Sequence, residues 1–172
     1  MREVAVMTSD EGRGREPGGQ QQERGQGQEA RGRRRIVVGV DGSPASRAAL
    51  RWAADQAALT GAVVEAVTGW EFTPVYGWSV PSLDPELAAA AEQTLTESVR
   101  EVLGPEPAVE VHRCTASGNA AQVLLDRAHG ADLLVLGNRG HGGFAGALLG
   151  SVTQHCVHHA DCPVVVIPHG RG

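Results

Sequence analysis

Between Ile36 and Ile167, short apolar runs alternate with segments whose apolar residues recur every three or four positions. The first run, Ile36-Val37-Val38-Gly39-Val40, is nearly continuous and β-branched, the pattern of a strand buried on both faces. A helix is predicted directly after it. Ser43 suits the N-cap, Pro44 fits the first helical position, and Ala49, Trp52, Ala53 and Ala57 recur at helical spacing until Gly61. Residues 63–67 read as a second strand. From 68 to 84, Trp70, Phe72, Tyr76 and Trp78 mix with Pro74 and Pro81, a composition for a long irregular excursion. Asp84-Pro85 then repeats the cap-plus-proline start, and Leu87, Ala91, Leu95 and Val99 step by four until Gly104-Pro105. Beyond it the pattern predicts strands at 109–114, 132–136 and 163–167, with helices at 119–129 and 151–159.

The order is therefore βαβαβαβαβ. Such alternation requires right-handed crossovers and gives an α/β fold, a five-stranded parallel sheet covered by helices on both faces. Ligands of these sheets bind outside the carboxyl ends of the strands, where strand order reverses. Two loops qualify by position: Asp41-Gly42-Ser43 after the first strand, and Gly137-Asn138-Arg139-Gly140 after the fourth. If the order is 3-2-1-4-5, both face one crevice.

Composition sharpens this picture. With 172 residues and 41% apolar content, the chain supports one domain, expected at 36–169. Residues 1–35 carry Gly, Gln, Glu and Arg and little that could repay ordering, so a disordered tail is expected there. All fifteen basic residues are Arg, and the absence of Lys excludes a lysine-dependent phosphate loop and Schiff-base chemistry. Residues 36–172 hold seven Arg against fourteen acids, a balance that argues against nucleic acid binding. The cluster Arg31, Arg33, Arg34 and Arg35 reads as a solvated linker end. No apolar run approaches membrane-spanning length, and no export signal is recognisable. Cys114, Cys156 and Cys162 fit neither a disulfide framework nor a zinc spacing, which points to a reducing, cytoplasmic setting. His155, Cys156, His158 and His159 share one helix, yet the pattern reads as a polar helix end, and no metal site is expected.

The glycine loop carries the chemistry. Gly137 and Gly140 let the backbone fold round a triphosphate, and the amides of Gly150, Ser151 and Val152 open a helix where they can donate to its oxygens. Ser151 adds a hydroxyl, and Arg139 is the only cation of Gly137–Gly140. Asp41 is placed to accept from ribose hydroxyls while also capping the first helix. Val67, ending the second strand, can meet an adenine ring through its main chain and side chain. His141 lies beside the loop without a positioned nucleophile or orienting partner, so no catalytic residue is assigned.

Gly137, Gly140, Gly150 and Ser151 form Gly, two residues, Gly, nine residues, Gly-Ser, and this spacing resembles the ATP-binding subset of the universal stress protein family. Leu148-Leu149-Gly150-Ser151-Val152-Thr153, the closing Cys162-Pro163-Val164-Val165-Val166 and the opening Val38-Gly39-Val40-Asp41-Gly42-Ser43 look like family segments as well. The resemblance implies a Rossmann-like sheet in the order 3-2-1-4-5, with ATP, with or without magnesium, between strands one and four. By analogy Val40, Asp41, Ser43 and Val67 meet adenine or ribose, while Gly137, Asn138, Arg139, Gly140, Gly150, Ser151 and Val152 surround the phosphates. It also implies a homodimer through the fifth strand, Val164, Val165, Val166 and Ile167, whose apolar edge would otherwise invite aggregation. The family often has Gly-x-Pro-Ala before the third helix; Gly118-Asn119-Ala120-Ala121 departs from it, leaving that wall open. The expectation is a nucleotide-occupied regulatory factor of the stress response acting on a protein partner. Slow ATP hydrolysis or autophosphorylation, and a nucleotide-independent dimeric scaffold, are the alternatives.

Overall fold

A computed structural model describes residues 33–71, 85–141 and 148–168; the expected tail lies outside them apart from its last three residues. Five strands, β1 (Arg35–Gly39), β2 (Val63–Trp70), β3 (Val111–Ser117), β4 (Leu133–Gly137) and β5 (Val164–Ile167), form one sheet in the order β3-β2-β1-β4-β5. Every pairing is parallel. The described helices are α1 (Pro44–Thr60), α2 (Pro85–Leu103), α3 (Ala120–Ala128) and α4 (Ser151–His159). None of them is long and apolar enough to cross a membrane.

Because side chains alternate across a strand, continuous apolar runs supply both faces of the sheet. Ile36, Val38, Val64, Ala66 and Val135 pack with Ala49, Leu50 and Ala53 of α1 and Leu95 and Val99 of α2. On the other face Val37, Val67, Leu134 and Leu136 meet Val123, Leu124 and Ala128 of α3 and Cys156 of α4. Leu87, the first step of the predicted α2 stripe, remains 37% exposed.

Local chemistry sets the helix boundaries. The Ser43 hydroxyl accepts from the Ser46 N–H at 3.2 Å and caps α1, and Gly61 ends it at φ 69°, where glycine carries no Cβ penalty. Asn119 caps α3 by accepting from the Ala121 N–H at 3.1 Å.

Two expectations are revised. Strand β2 runs three residues past the predicted end, because Thr68, Gly69 and Trp70 stay in register with Thr115, Ala116 and Ser117 of β3. Arg35 is a strand residue rather than a solvated linker end. Its guanidinium lies 2.7 Å from the buried Glu65 carboxylate, which Arg127 also meets at 3.3 Å, and it donates to the Arg127 and His129 carbonyls. A carboxylate on a sheet face is tolerated because two guanidinium groups pair with it.

Candidate nucleotide site

The carboxyl ends of β1 and β4, neighbours in the middle of the sheet, border a cavity of about 340 Å³. Nine of the predicted residues line it: Val40, Asp41, Val67, Gly137, Arg139, Gly140, Gly150, Ser151 and Val152. Ser43 and Asn138 stand behind this wall, on an adjoining groove shared with Arg139 and Gly140. Both still shape the loop. The Ser43 hydroxyl donates to the Arg139 carbonyl at 3.4 Å, and the Asn138 carbonyl accepts from the Gly150 N–H at 2.8 Å, drawing the two glycine segments together.

Asp41 sits where β1 turns into α1. Its Oδ1 accepts from the Ser43 N–H at 3.0 Å, and its backbone N–H donates to the Ser46 hydroxyl at 3.3 Å. Burial raises the Asp41 pKa, but hydrogen bonds from Ser43 and Ser46 together with nearby His141 outweigh it, so the carboxyl lies below its ordinary value and is ionised at neutral pH. Its other oxygen leans on Gly140, where an added Cβ would run into it. Gly42 holds φ 81°, a conformation other L residues rarely adopt.

On the opposite wall, α4 begins at Gly150, an N-cap that supplies no side-chain hydrogen bond. Ser151 and Val152, which open the helix, line the cavity without a side-chain cap for their amides, the arrangement that attracts anions. Arg139 adds a guanidinium to the lining; among the described residues its Nε is buried without a hydrogen-bond partner.

Val67 forms the floor together with Leu124 and Leu136. The Val67 carbonyl already accepts from the Val40 N–H at 2.8 Å, which leaves one further acceptor position on that oxygen. Several lining residues escaped the sequence reading. Thr153, on the first turn of α4, donates its hydroxyl to the Gly137 carbonyl at 2.7 Å and ties the helix to β4. Ala120, which stands where the family pattern has proline, presses against Gly69, whose added Cβ would lie 2.8 Å from the Ala120 Cα, and with Leu124 it lines the cavity. Thr153 carries no motif signal, and the Gly69–Ala120 contact depends on the unforeseen extension of β2. His141 lines the cavity too, but among the described residues no hydrogen bond orients it.

The histidine and cysteine side chains of α4 lie away from the cavity lining. Cys156 is fully buried with its thiol 3.8 Å from the Ala121 carbonyl, and burial pushes it up to about 11, so it is a core residue. His155, His158 and His159 stay exposed. Among the described residues no group of three or more His, Cys, Asp or Glu side chains could hold a metal ion.

The sequence model of the universal stress protein family matches residues 32–168. The chain belongs to the universal stress protein family. Universal stress protein Rv2623 of Mycobacterium tuberculosis is 36% identical over 132 residues, covering 76% of this chain and 44% of that protein. The chain thus spans less than half the length of this relative. Among solved structures, universal stress protein UspA from Lactobacillus plantarum shares the fold with a TM-score of 0.64 and 27% identity, over 78% of this chain and 97% of that one. A universal stress protein in complex with cAMP is similar with a TM-score of 0.54 and 25% identity, over 80% and 98% of the respective chains.

Proposed function

We propose that this universal stress protein binds an adenine nucleotide, ATP foremost, in the cavity between β1 and β4, and that occupancy rather than turnover is its output. The observation that carries this is the start of α4, uncapped by any side chain, lining one cavity with Arg139 and Asp41. The first turn of α4 and Arg139 line the same cavity, and a phosphate supplies acceptors for the helix amides and for the guanidinium. The similar fold solved with cAMP supports an adenine nucleotide as the class.

In this reading Gly137, Arg139 and Gly140 follow the phosphates along one side, with Asn138 behind them holding the Gly150 N–H, and the Ser151 and Val152 amides meet them from the other. Asp41 accepts from the ribose hydroxyls, which requires the ionised carboxylate that its hydrogen bonds maintain. The adenine ring lies over Val67, with Val40 and Ser43 shaping the turn beneath it. Arg139 alone cannot balance a triphosphate beside an ionised Asp41, so magnesium arriving with the nucleotide strengthens binding. Membership of the family favours a regulatory factor in the stress response whose bound state alters a protein partner. A second copy of the chain joining at β5 completes the proposal.

Thermal unfolding of the full chain tests it, with ATP, AMP or cAMP and with or without magnesium. Nucleotide at about 100 times its Kd adds about 2.7 kcal/mol and raises the midpoint by several degrees. In Gly140→Val the side chain occupies the space beside Asp41, and the rise disappears. Millimolar adenine nucleotide that leaves the wild-type midpoint unmoved overturns the proposal.

A further inference from the structure

At the far end of α4 from the cavity, His155 and His159 lie four residues apart, one helical turn, on its exposed side. Their ring centroids are 4.4 Å apart and their planes meet at 43°. Among the described residues neither ring takes part in a hydrogen bond, so their nitrogens are not committed to a carboxylate or carbonyl.

We propose that His155 and His159 form a two-imidazole chelate for a divalent transition-metal ion of the Cu²⁺, Ni²⁺ and Zn²⁺ class, with water in the other positions. Metal–nitrogen bonds of about 2.0–2.1 Å, with each ring centroid about 1.1 Å further out, put two rings bound side by side to one ion about 4.4–5.1 Å apart. The observed separation falls at the near end of that range. The rings are already together, so little side-chain freedom is lost on binding. The last helical turn also favours a cation, because its carbonyls carry the negative end of the helix dipole.

His158 does not complete the site. Its centroid is 6.5 Å from that of His159, beyond the about 6.3 Å that two rings bound on opposite sides of an ion would span. With two protein ligands the site is open and exchanging, unlike the closed four-ligand sites that hold structural zinc. Among these ions Cu²⁺ binds most tightly, as imidazole donors and the ordering of first-row metals require.

The experiment titrates the nucleotide-free full chain with CuCl₂ alone at neutral pH, by calorimetry and by electron paramagnetic resonance of the bound ion. Wild type is expected to take up one Cu²⁺ ion in the micromolar range with two-nitrogen coordination. His155→Gln and His159→Gln each weaken uptake about tenfold or more, whereas His158→Gln leaves it within about twofold. No uptake at 100 µM (about 5 kcal/mol of affinity), or a loss in fewer than both of the first two variants, overturns the proposal. Because no nucleotide is present, the outcome is independent of the cavity's ligand.

Discussion

Gly137, Gly140 and Gly150 look equivalent along the chain, and packing separates them. A Cβ at Gly137 would lie 2.7 Å from the Ala45 carbonyl carbon and 2.8 Å from its Cβ, so α1 itself excludes a side chain there. Gly137→Ala is expected to cost about 1–3 kcal/mol, measured as a lower urea midpoint, because α1 would have to move away from β4. At Gly150 the nearest atom to an added Cβ is 3.5 Å away, and Gly150→Ala costs under about 1 kcal/mol in the same assay. Spacing made these residues visible; it could not say that the first glycine serves helix packing, because Ala45 lies far from it in sequence. Asp41 was legible for a simpler reason, since an acid two residues before a helix N-cap has local partners. Its folded pKa is lowered, so its ionised form adds stability above the unfolded value near 3.8, and that stability is lost as pH falls through the folded value. Asp41→Asn should therefore flatten the acid limb of the stability profile below about pH 4, measured by thermal midpoints against pH. An unchanged limb would show that the Ser43 and Ser46 bonds do not favour the charged form.

At the scale of elements, α4 was read from Ser151 to His159, and it runs over those residues because Gly150-Ser151 and the following polar segment are local signals. What fixes it to the sheet is not local. The buried Thr153 hydroxyl donates to the Gly137 carbonyl at 2.7 Å and holds the start of the helix against the end of β4. Thr153→Val keeps the shape and leaves that carbonyl without its donor, at a cost of about 1–3 kcal/mol in denaturant unfolding. The same variant should weaken adenine-nucleotide binding, because the amides at the start of α4 would no longer be held against the loop. Equal stability and equal affinity in the variant would mean that the turn is held by the Gly150 N–H bond to Asn138 instead. The length of β2 was illegible on similar grounds. Thr68-Gly69-Trp70 carries no continuous apolar run, and it is strand because β3 offers a pairing edge alongside.

For the whole molecule, the alternation of elements gave the parallel sheet, while the order of strands followed from the family resemblance and agrees with the structure. That order leaves β5 at an edge, with all four of its residues half-buried and apolar. Leu148, 78% exposed, and Leu149 line a groove that continues to Val166. An edge of this composition is a hazard unless another strand covers it, and the proposed second copy does so by self-pairing. The ladder identifies the residue that tests this. The Leu134 N–H donates to the Pro163 carbonyl at 2.9 Å and the Asn138 N–H to the Ile167 carbonyl at 2.8 Å, so residues of that parity turn toward β4. Val164 and Val166 therefore turn their main-chain groups outward. Proline at 166 removes an outward N–H and spares the bonds to β4, so Val166→Pro should keep the circular dichroism of the wild type and block strand addition. Sedimentation of the wild type at tens of micromolar should give a dimer, and of Val166→Pro a monomer. A wild-type monomer would remove the need for a covered edge, and a Val166→Pro dimer would place the contact on another face.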